Sequence, residues 1–293
     1  MAMPRIHWHD LPAATRAAVA VHTGVVHTAR SARTGINSGI AATIDTDRGR
    51  FFVKGVPAAH PQALTQQREA DINPHLPPGC PRLLWRARTA EWDLLGFELI
   101  TGRTADFAPG SPDLPRVVAA LDQLARTPCP DLPLKRVAQR WAPYAATGAV
   151  GLLDGDQLLH TDMAPHNVLI GTDSDPSAHL IDWAWPSRGP AWVDAAVWVL
   201  RLLEAGHTPE QADRWARQLA PWRAAPTAGV RAFADANAAL WAELGTQDPE
   251  RGWKTALAGH ARAWAAYIHG ERSADGVQTG VRRGGSTEGP CSV

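Results

Sequence analysis

A short polar segment between two apolar runs holds the residue types that could do chemistry. The sequence LLHTDMAPHNVLI, residues 158–170, contains His160, Asp162 and Asn167. Burying such polar groups without partners is costly, so they either solvate a loop or are held together for a reaction. A further acid, Asp182, ends the run HLID. Carboxylate and amide oxygens of this kind can bind a cation or take up a proton.

The spacing of these residues predicts two converging oxygen ligands. The runs NVLI and HLID have the pattern of short strands that can pair as a hairpin. Such a hairpin would bring Asn167 and Asp182 to the same edge, with Asp162 on the loop beside them. Magnesium prefers oxygen ligands and typically takes one or two carboxylates together with phosphate oxygens. The pattern is therefore typical of a magnesium site.

The elements before this segment have the pattern of a compact α+β unit. β-branched runs predict three antiparallel strands within residues 24–56, and two more strands follow within residues 81–100. A run of good helix formers between Pro61 and Pro74 predicts one main helix among them. A break rich in Gly and Pro then precedes the polar segment, and mostly helical patterns surround that segment.

The composition limits the class of protein. Hydrophobic residues make up 45% and charged residues 20%, as in ordinary globular proteins. The net charge is zero, so nucleic acid and an anionic membrane surface are not expected as partners. The cysteines Cys80, Cys129 and Cys291 are scattered and predict neither a disulfide framework nor a zinc site. Without a signal-peptide pattern or a bilayer-spanning apolar run, we expect a cytoplasmic protein.

The polar segment and the acid that follows it resemble a known pair of loops. The order is His160-x-Asp162, then Asn167, then Asp182. This order resembles the catalytic and metal-binding loops of the protein-kinase-like superfamily.

Within that superfamily the sequence is most similar to the aminoglycoside phosphotransferase branch of small-molecule kinases. Trp follows Asp182, and a Gly-x-x-x-x-Asp pattern occurs downstream at Gly189 and Asp194. The Ala-Pro-Glu segment of protein kinases is missing from the sequence. The resemblance covers about residues 24–270, and its specific motifs lie within residues 158–195.

The resemblance implies a bilobal kinase-like fold of the α+β class. The N-lobe would hold an antiparallel five-stranded sheet with one main helix, and the C-lobe would be mainly helical with short catalytic-loop strands. The chain would then divide into an N-terminal nucleotide-binding lobe, a hinge, a C-terminal catalytic and substrate-binding lobe, and a flexible tail rich in Gly, Ser and Arg: residues 1–97, 98–103, 104–270 and 271–293.

The resemblance also implies roles for the polar residues. Asp162 would be catalytic, because it would accept the proton of the acceptor hydroxyl or aim that hydroxyl at the γ-phosphate. Asn167 and Asp182 would hold magnesium. His160 would brace the loop, and Thr161 stands where this branch commonly has glycine.

Nucleotide contacts follow from the same resemblance. Lys54, on the third predicted strand, would bind the α- and β-phosphates, and Glu69 would hold that lysine in place. The loop RTGINSG, residues 33–39, would cover the phosphates through backbone N–H groups near Ser38. Backbone groups of the hinge residues Glu98 and Ile100 would hydrogen-bond the adenine. The apolar side chains of Leu169 and Ile181 would lie near the nucleotide.

The implied activity is transfer of phosphate from ATP, with GTP as an alternative donor, to a hydroxyl of a small molecule. The favoured acceptor is an antibiotic, although zero net charge argues against a strongly cationic one. A metabolic acceptor such as choline, homoserine or a sugar is the alternative. A metal-dependent hydrolase would need a third clear ligand beside the histidines. A non-catalytic scaffold would often lack one of the key polar residues, and none is missing.

Overall fold

The computed structural model describes residues 3–32, 38–172 and 174–280, and the side chains of those residues up to 270. The N-terminal part contains five strands and two helices: β1 (Val26–Ser31), β2 (Ile40–Thr46), β3 (Gly49–Pro57), β4 (Leu83–Arg88), β5 (Trp92–Glu98), α1 (Ala13–Thr23) and α2 (Ala63–Ile72). The strands form one antiparallel sheet in the order β1-β2-β3-β5-β4. The predicted five-stranded sheet is therefore confirmed.

The alternation of side chains along β3 gives the sheet two different faces. Phe51 and Val53 belong to a small apolar core that includes residues of α1. Lys54 comes next in the strand and therefore faces the opposite side, where α2 packs. Gln66 of α2 donates a 2.6 Å hydrogen bond to the carbonyl of Asp93 on β5, which fixes this helix to the sheet.

The C-terminal part is mainly helical, as predicted. Its helices are α3 (Leu114–Ala125), α4 (Val137–Trp141), α5 (Val193–Glu204), α6 (Pro209–Ala216), α7 (Ala220–Arg223), α8 (Thr227–Gln247) and α9 (Gly252–Gly280). Almost every residue of α5 is buried, because this helix passes through the centre of the larger core. The long helices α8 and α9 pack against each other beside it. The capping box of Thr208 and Gln211 begins α6.

Two small sheets pack against helices α3 and α4. Their strands are β6 (Gly102–Thr104), β7 (Lys135–Arg136), β8 (Gln157–Leu159), β9 (Val168–Gly171), β10 (Ala178–Leu180) and β11 (Ser187–Gly189). The first sheet has the order β10-β9-β6, and the second has the order β7-β11-β8. The antiparallel pairing of β9 with β10 is the hairpin that the sequence predicts. A 2.9 Å bond from Ile181 N–H to the Asn167 carbonyl extends it towards Asp182.

The predicted C-terminal tail and the predicted phosphate loop lie partly outside the described residues, and α9 extends into the first of them. Helix α9 continues through residues 271–280, where the composition predicts a flexible tail. A helix anchored by packed residues such as Trp264 gains one hydrogen bond per added residue, so it can extend past its last buried side chain. Residues 281–293 of that tail, and residues 33–37 of the predicted phosphate loop, lie outside the described residues.

None of the helices in the described ranges combines the length and the hydrophobicity that crossing a membrane requires.

Gly96 on β5 lets the Trp85 ring on β4 approach the backbone closely, so we expect a residue with a side chain to be unfavourable at this position. A Cβ atom at Gly96 would lie 2.0 Å from Cε2 of Trp85 on β4. That ring is buried and stacks on His22 at 5.7 Å, so it has little room to move. We expect Gly96→Ala to lower the free energy of unfolding in urea by about 1–3 kcal/mol. Gly151→Ala is the control, because nothing lies within 4 Å of its Cβ position. Equal losses in the two variants would contradict this packing argument.

Candidate active site

Two cavities adjoin each other beside the β9–β10 hairpin. The first, here called the sheet cavity, measures about 210 Å³ and is lined by residues of β2, β3, β5 and the β9–β10 hairpin. The second, the helix cavity, measures about 810 Å³ and is lined by residues of α5, α8 and the segment 161–166. His166 and Asp182 line both cavities. The two cavities therefore share a boundary at these side chains.

The sheet cavity brings together every residue for which the sequence predicts a nucleotide or metal contact. These residues are Ser38, Lys54, Glu69, Glu98, Ile100, Asn167, Leu169, Ile181 and Asp182. Asp162, the predicted catalytic residue, lines the helix cavity instead. The individual roles stay predictions, but the positions form one cleft with two compartments.

Lys54 lies between two carboxylates. Its Nζ is 2.5 Å from Oε2 of Glu69 and 2.7 Å from Oδ1 of Asp182. Burial alone would lower the pKa of Lys54, but the charges of Asp182 and Glu69 outweigh burial and raise this pKa above its ordinary value. Lys54 is therefore a fixed positive charge in the wall of the sheet cavity.

The two acids around Lys54 have different surroundings. Glu69 is buried on α2, and this burial raises its pKa. Burial acts in the same direction on Asp182, but the charge of Lys54 overrides it and lowers the pKa of Asp182 below its usual range. Asp182 is thus ionised where the two cavities meet. This arrangement suits Asp182 for contact with a cation and Glu69 for holding the lysine.

The segment that carries Asp162 is folded by its own hydrogen bonds. The side-chain Nδ2 of Asn167 donates to the Asp162 carbonyl at 3.1 Å, which leaves the Asn167 Oδ1 as an oxygen ligand. Nδ1 of His160 accepts from the Asp162 N–H at 3.2 Å, and its Nε2 lies 2.9 Å from the Ile181 carbonyl. These two contacts require the tautomer with hydrogen on Nε2. His160 thereby connects the Asp162 loop to the strand that precedes Asp182.

Asp194, at the start of α5, holds the same loop from the other side. Its buried carboxylate accepts the N–H of His160 at 2.8 Å and the N–H of Thr161 at 2.7 Å. Burial raises the pKa of Asp194. Thr161 has a φ of +63°, which is strained for a β-branched residue and explains why glycine would be favoured there. Its hydroxyl donates to the Trp185 carbonyl at 2.9 Å and accepts from Arg140, and these bonds hold the strained position.

The predicted hinge residues differ in their backbone contacts. The N–H of Glu98 donates to the Arg82 carbonyl at 2.9 Å, and the Glu98 carboxylate accepts the Arg82 N–H at 3.0 Å. The N–H of Ile100 donates to no atom of the described residues. Ile100 therefore offers a backbone donor to a ligand in the sheet cavity, whereas the Glu98 N–H is already used.

Among the arginines that line the cleft and that the sequence prediction missed are Arg5, Arg140 and Arg201. Arg5 lines the sheet cavity, while Arg140 and Arg201 line the helix cavity. Nη2 of Arg201 lies 3.7 Å from Oδ1 of Asp162. These arginines come from the N-terminal segment, α4 and α5, and no local motif marks any of them. Only the folded chain brings them to the cleft.

The oxygen atoms at the shared boundary fit a magnesium ion that is bound together with phosphate. The Asn167 Oδ1 and the Asp182 carboxylate are ligands of the kind magnesium prefers, and phosphate would supply others. In the part of the chain that the structure describes, no group of three or more His, Cys, Asp or Glu side chains could hold a metal by itself. The protein ligands of such a site would be Asn167 and Asp182.

No protein-family model and no curated protein matches the chain. Solved structures do match it. One is a thermostable mutant of aminoglycoside phosphotransferase APH(4)-Ia in ternary complex with AMP-PNP and hygromycin B, with 16% identity, a TM-score of 0.60, and coverage of 87% of this chain and 98% of that chain. Another is aminoglycoside phosphotransferase APH(3'')-Id from Streptomyces rimosus ATCC10970 in complex with ADP and streptomycin, with 17% identity, a TM-score of 0.50, and coverage of 71% and 92%.

The fold that these matches define is a kinase-like α+β fold. The chain has the fold of the aminoglycoside phosphotransferases, and the resemblance predicted from residues 158–195 is confirmed at the level of fold. Since identities of this size establish the fold alone, the activity must be argued from the cleft itself.

The double hydrogen bond to Asp194 generates a prediction about stability. In Asp194→Asn, the amide NH₂ would face one of the two N–H donors of His160 and Thr161, and that donor would lose its acceptor. A buried unsatisfied donor costs about 1–3 kcal/mol, and we expect that loss in the free energy of unfolding measured in urea. The exposed Asp131 provides the control, as Asp131→Asn should leave stability within about 0.5 kcal/mol. Unchanged stability of Asp194→Asn would remove its loop-holding role.

Proposed function

We propose that this chain is an ATP-dependent O-phosphotransferase that acts on a hydroxyl group of a small molecule. The observation that carries the proposal is the shared boundary of the two cavities. Lys54, Glu69 and Asp182 form an ion-pair set in the sheet cavity, and Asp182 also borders the cavity that contains Asp162. A phosphate donor in one compartment would thus face an acceptor in the other.

The sheet cavity would bind the nucleotide. Leu169 and Ile181 would contact the base, and the free N–H of Ile100 would donate to it. Lys54 would bind phosphate oxygens as a fixed cation, with Glu69 behind it. The two matched phosphotransferase structures contain AMP-PNP or ADP, which supports ATP as the donor. In this proposal residues 1–97 are the nucleotide-binding lobe, residues 98–103 the hinge and residues 104–270 the catalytic lobe.

Magnesium would be held by Asn167 and Asp182 together with the phosphates. When bound there, it would neutralise charge on the phosphate oxygens. The contribution of the chain is to keep Asp182 ionised through Lys54 and to fix the amide of Asn167 through its bond to the Asp162 carbonyl.

The acceptor would lie in the helix cavity with its hydroxyl at Asp162. Its oxygen attacks the γ-phosphorus, the bond from that phosphorus to the bridging oxygen breaks, and ADP leaves. The Asp162 carboxylate takes the hydroxyl proton, and it first aims that hydroxyl at the phosphate. Arg201 beside Asp162 limits how far this carboxylate can turn away.

The volume of the helix cavity supports a small-molecule acceptor. At about 810 Å³ it is within the range of pockets that bury a drug-sized ligand. The two matched structures contain hygromycin B or streptomycin, which supports an antibiotic as the acceptor. We therefore propose a natural product of antibiotic type as the substrate.

The proton-accepting role of Asp162 can be tested by removing its charge. We expect Asp162→Asn to lower kcat by about 10²–10⁴-fold, because a positioned general base contributes that much. Binding of AMP-PNP should change little, since Asp162 lies outside the sheet cavity. ADP release would report turnover, and calorimetry would report binding. Asp156→Asn, at an acid whose side chain is 80% exposed, is the control. Near-normal turnover of Asp162→Asn would exclude this role.

The metal-holding role of Asp182 can be tested without measuring turnover. Calorimetry with AMP-PNP, in magnesium and in EDTA, gives the factor by which magnesium strengthens nucleotide binding. We expect Asp182→Asn to reduce this factor by at least about tenfold, equal to 1.4 kcal/mol, because a charged ligand is lost. Asp175→Asn, at an acid 63% exposed, should keep the original factor. If Asp182→Asn also keeps it, Asp182 does not hold the metal.

A further inference from the structure

The wall of the helix cavity is rich in arginine and tryptophan. Its charged and aromatic lining consists of Arg140, Arg201, Arg251, Asp162, Asp182, Glu204, Trp141, Trp185, Trp241 and Trp253. Formal charges in this lining cancel. The pairing of those charges therefore decides what an incoming ligand would meet.

Two of the three arginines already have acidic partners. Arg201 lies 3.0 Å from Glu204 and 3.7 Å from Asp162, and Arg251 lies 3.0 Å from Asp248. The remaining acid of the lining, Asp182, is bound to Lys54. Each acid among the described lining residues thus has a cation of the chain within 4.0 Å, although Asp162 and Glu204 share Arg201 and Asp182 shares Lys54 with Glu69.

Arg140 is different. Within the described part of the chain, no carboxylate oxygen lies within 4.0 Å of its guanidinium. Nη1 of Arg140 bonds to neutral oxygens, including the Ser187 hydroxyl at 2.6 Å and the Thr161 hydroxyl. Its Nε and Nη2 make no hydrogen bond to a described residue, and they are not among the buried polar atoms without a partner. Part of a cationic donor group is therefore open to the cavity.

The surroundings of Arg140 fix the orientation of its guanidinium group and favour an anionic partner for it. The guanidinium carbon lies 4.8 Å from the ring centre of Trp141 and 5.7 Å from that of Trp185. Burial lowers the pKa of Arg140 to about 10, although the more distant charges of Asp162 and Asp194 act in the opposite direction, so Arg140 is still charged at neutral pH. A partly desolvated guanidinium that bonds only to neutral groups interacts more strongly with a carboxylate than an exposed one does.

Trp185 adds a flat apolar surface beside this charge. Its side chain is 40% exposed although it lines the cavity, which is unusual for so large an apolar group in a folded protein. A planar ring stacked there would cover the exposed indole. Such a ring could also reach both the guanidinium and the Asp162 side of the cavity.

We propose that the acceptor is a planar-ring compound that carries a carboxylate as well as the phosphorylated hydroxyl, and that Arg140 binds the carboxylate. This inference rests on the proposed phosphotransferase function and narrows its substrate class. The carboxylate of the acceptor would then lie at Arg140 on α4, beside Trp185. Its hydroxyl would lie at Asp162.

Three probes that share one ring and one hydroxyl group test the charge of the acceptor. They are 4-(hydroxymethyl)benzoate, 4-(hydroxymethyl)benzamide and 4-(hydroxymethyl)benzylamine, which carry negative, zero and positive charge at neutral pH. Calorimetry would measure binding to the full chain with and without magnesium and AMP-PNP. We expect the benzoate to bind at least about tenfold more tightly than the benzamide, as one charged hydrogen bond provides. Equal or tighter binding of the benzamide or the benzylamine would overturn the proposal.

Substitution of Arg140 tests the assigned residue. In Arg140→Gln the preference for the benzoate over the benzamide should fall to within about twofold, because both probes then meet a neutral amide. A purely structural role would weaken both probes equally and leave the ratio unchanged. Arg140→Lys, which keeps the charge, should keep a preference of several fold, and Arg126→Gln, at an arginine 76% exposed just after α3, is the control. A preference that persists in Arg140→Gln would overturn the assignment.

Failure of this inference can be told apart from failure of the proposed function. ADP release would be measured with the three probes, hygromycin B and streptomycin. If hygromycin B or streptomycin is phosphorylated in preference to the benzoate, the phosphotransferase function holds and the acidic acceptor is wrong. If AMP-PNP does not bind at all, the proposed function fails, while the benzoate preference is still measured in the absence of nucleotide.

Discussion

The ion pairs of Lys54 connect three segments that are distant in the sequence. The lysine lies on β3, Glu69 on α2, and Asp182 beyond β10, 128 positions from the lysine. A buried cation without its acids would be strongly destabilising, and so would the buried acid Glu69 without its cation. The sheet and the β9–β10 hairpin therefore have to close on each other for Asp182 to meet Lys54. Because Asp182 lines both cavities, the same ion pair also determines where the compartments meet.

A second network makes the Asp162 loop a fixed part of this boundary. His160 joins the loop to Ile181, and Asp194 joins it to α5 through two backbone donors. Two residues beside the boundary, Thr161 and Asp182, have positive φ values of 63° and 61°. Backbone strain of this kind persists only where surrounding bonds over-determine it, and such strain is concentrated at functional sites. The hydrogen bonds of His160 and Asp194 hold the backbone in place at this boundary. The position of Asp162 therefore depends on the core that buries α5.

The parts of the site that could be predicted from sequence are those fixed by local rules. Adjacent strands pair as a hairpin, so the approach of Asn167 and Asp182 follows from their spacing, and alternation along β3 turns Lys54 away from the small core. The helix cavity could not be predicted in this way. Its wall depends on how α4, α5 and α8 pack, and a single arginine in a helical pattern carries no signal of its partners. Composition also gives no signal that α9 continues through residues 271–280, because it does not register a helix that extends from a packed segment.

The division between the two compartments explains how a shared fold can serve different acceptors. The sheet cavity combines a lysine, two acids and an amide, and any phosphoryl donor needs similar groups. The helix cavity has no such constraint, because α4, α5 and α8 supply much of its lining and β9 and β10 supply none of it. In this chain Glu204 pairs with Arg201 within α5, and Arg140 on α4 has no carboxylate oxygen of a described residue within 4.0 Å. The chain can therefore share its fold with phosphotransferases that bind hygromycin B or streptomycin and still have a helix cavity whose lining favours a ligand of the opposite charge to theirs.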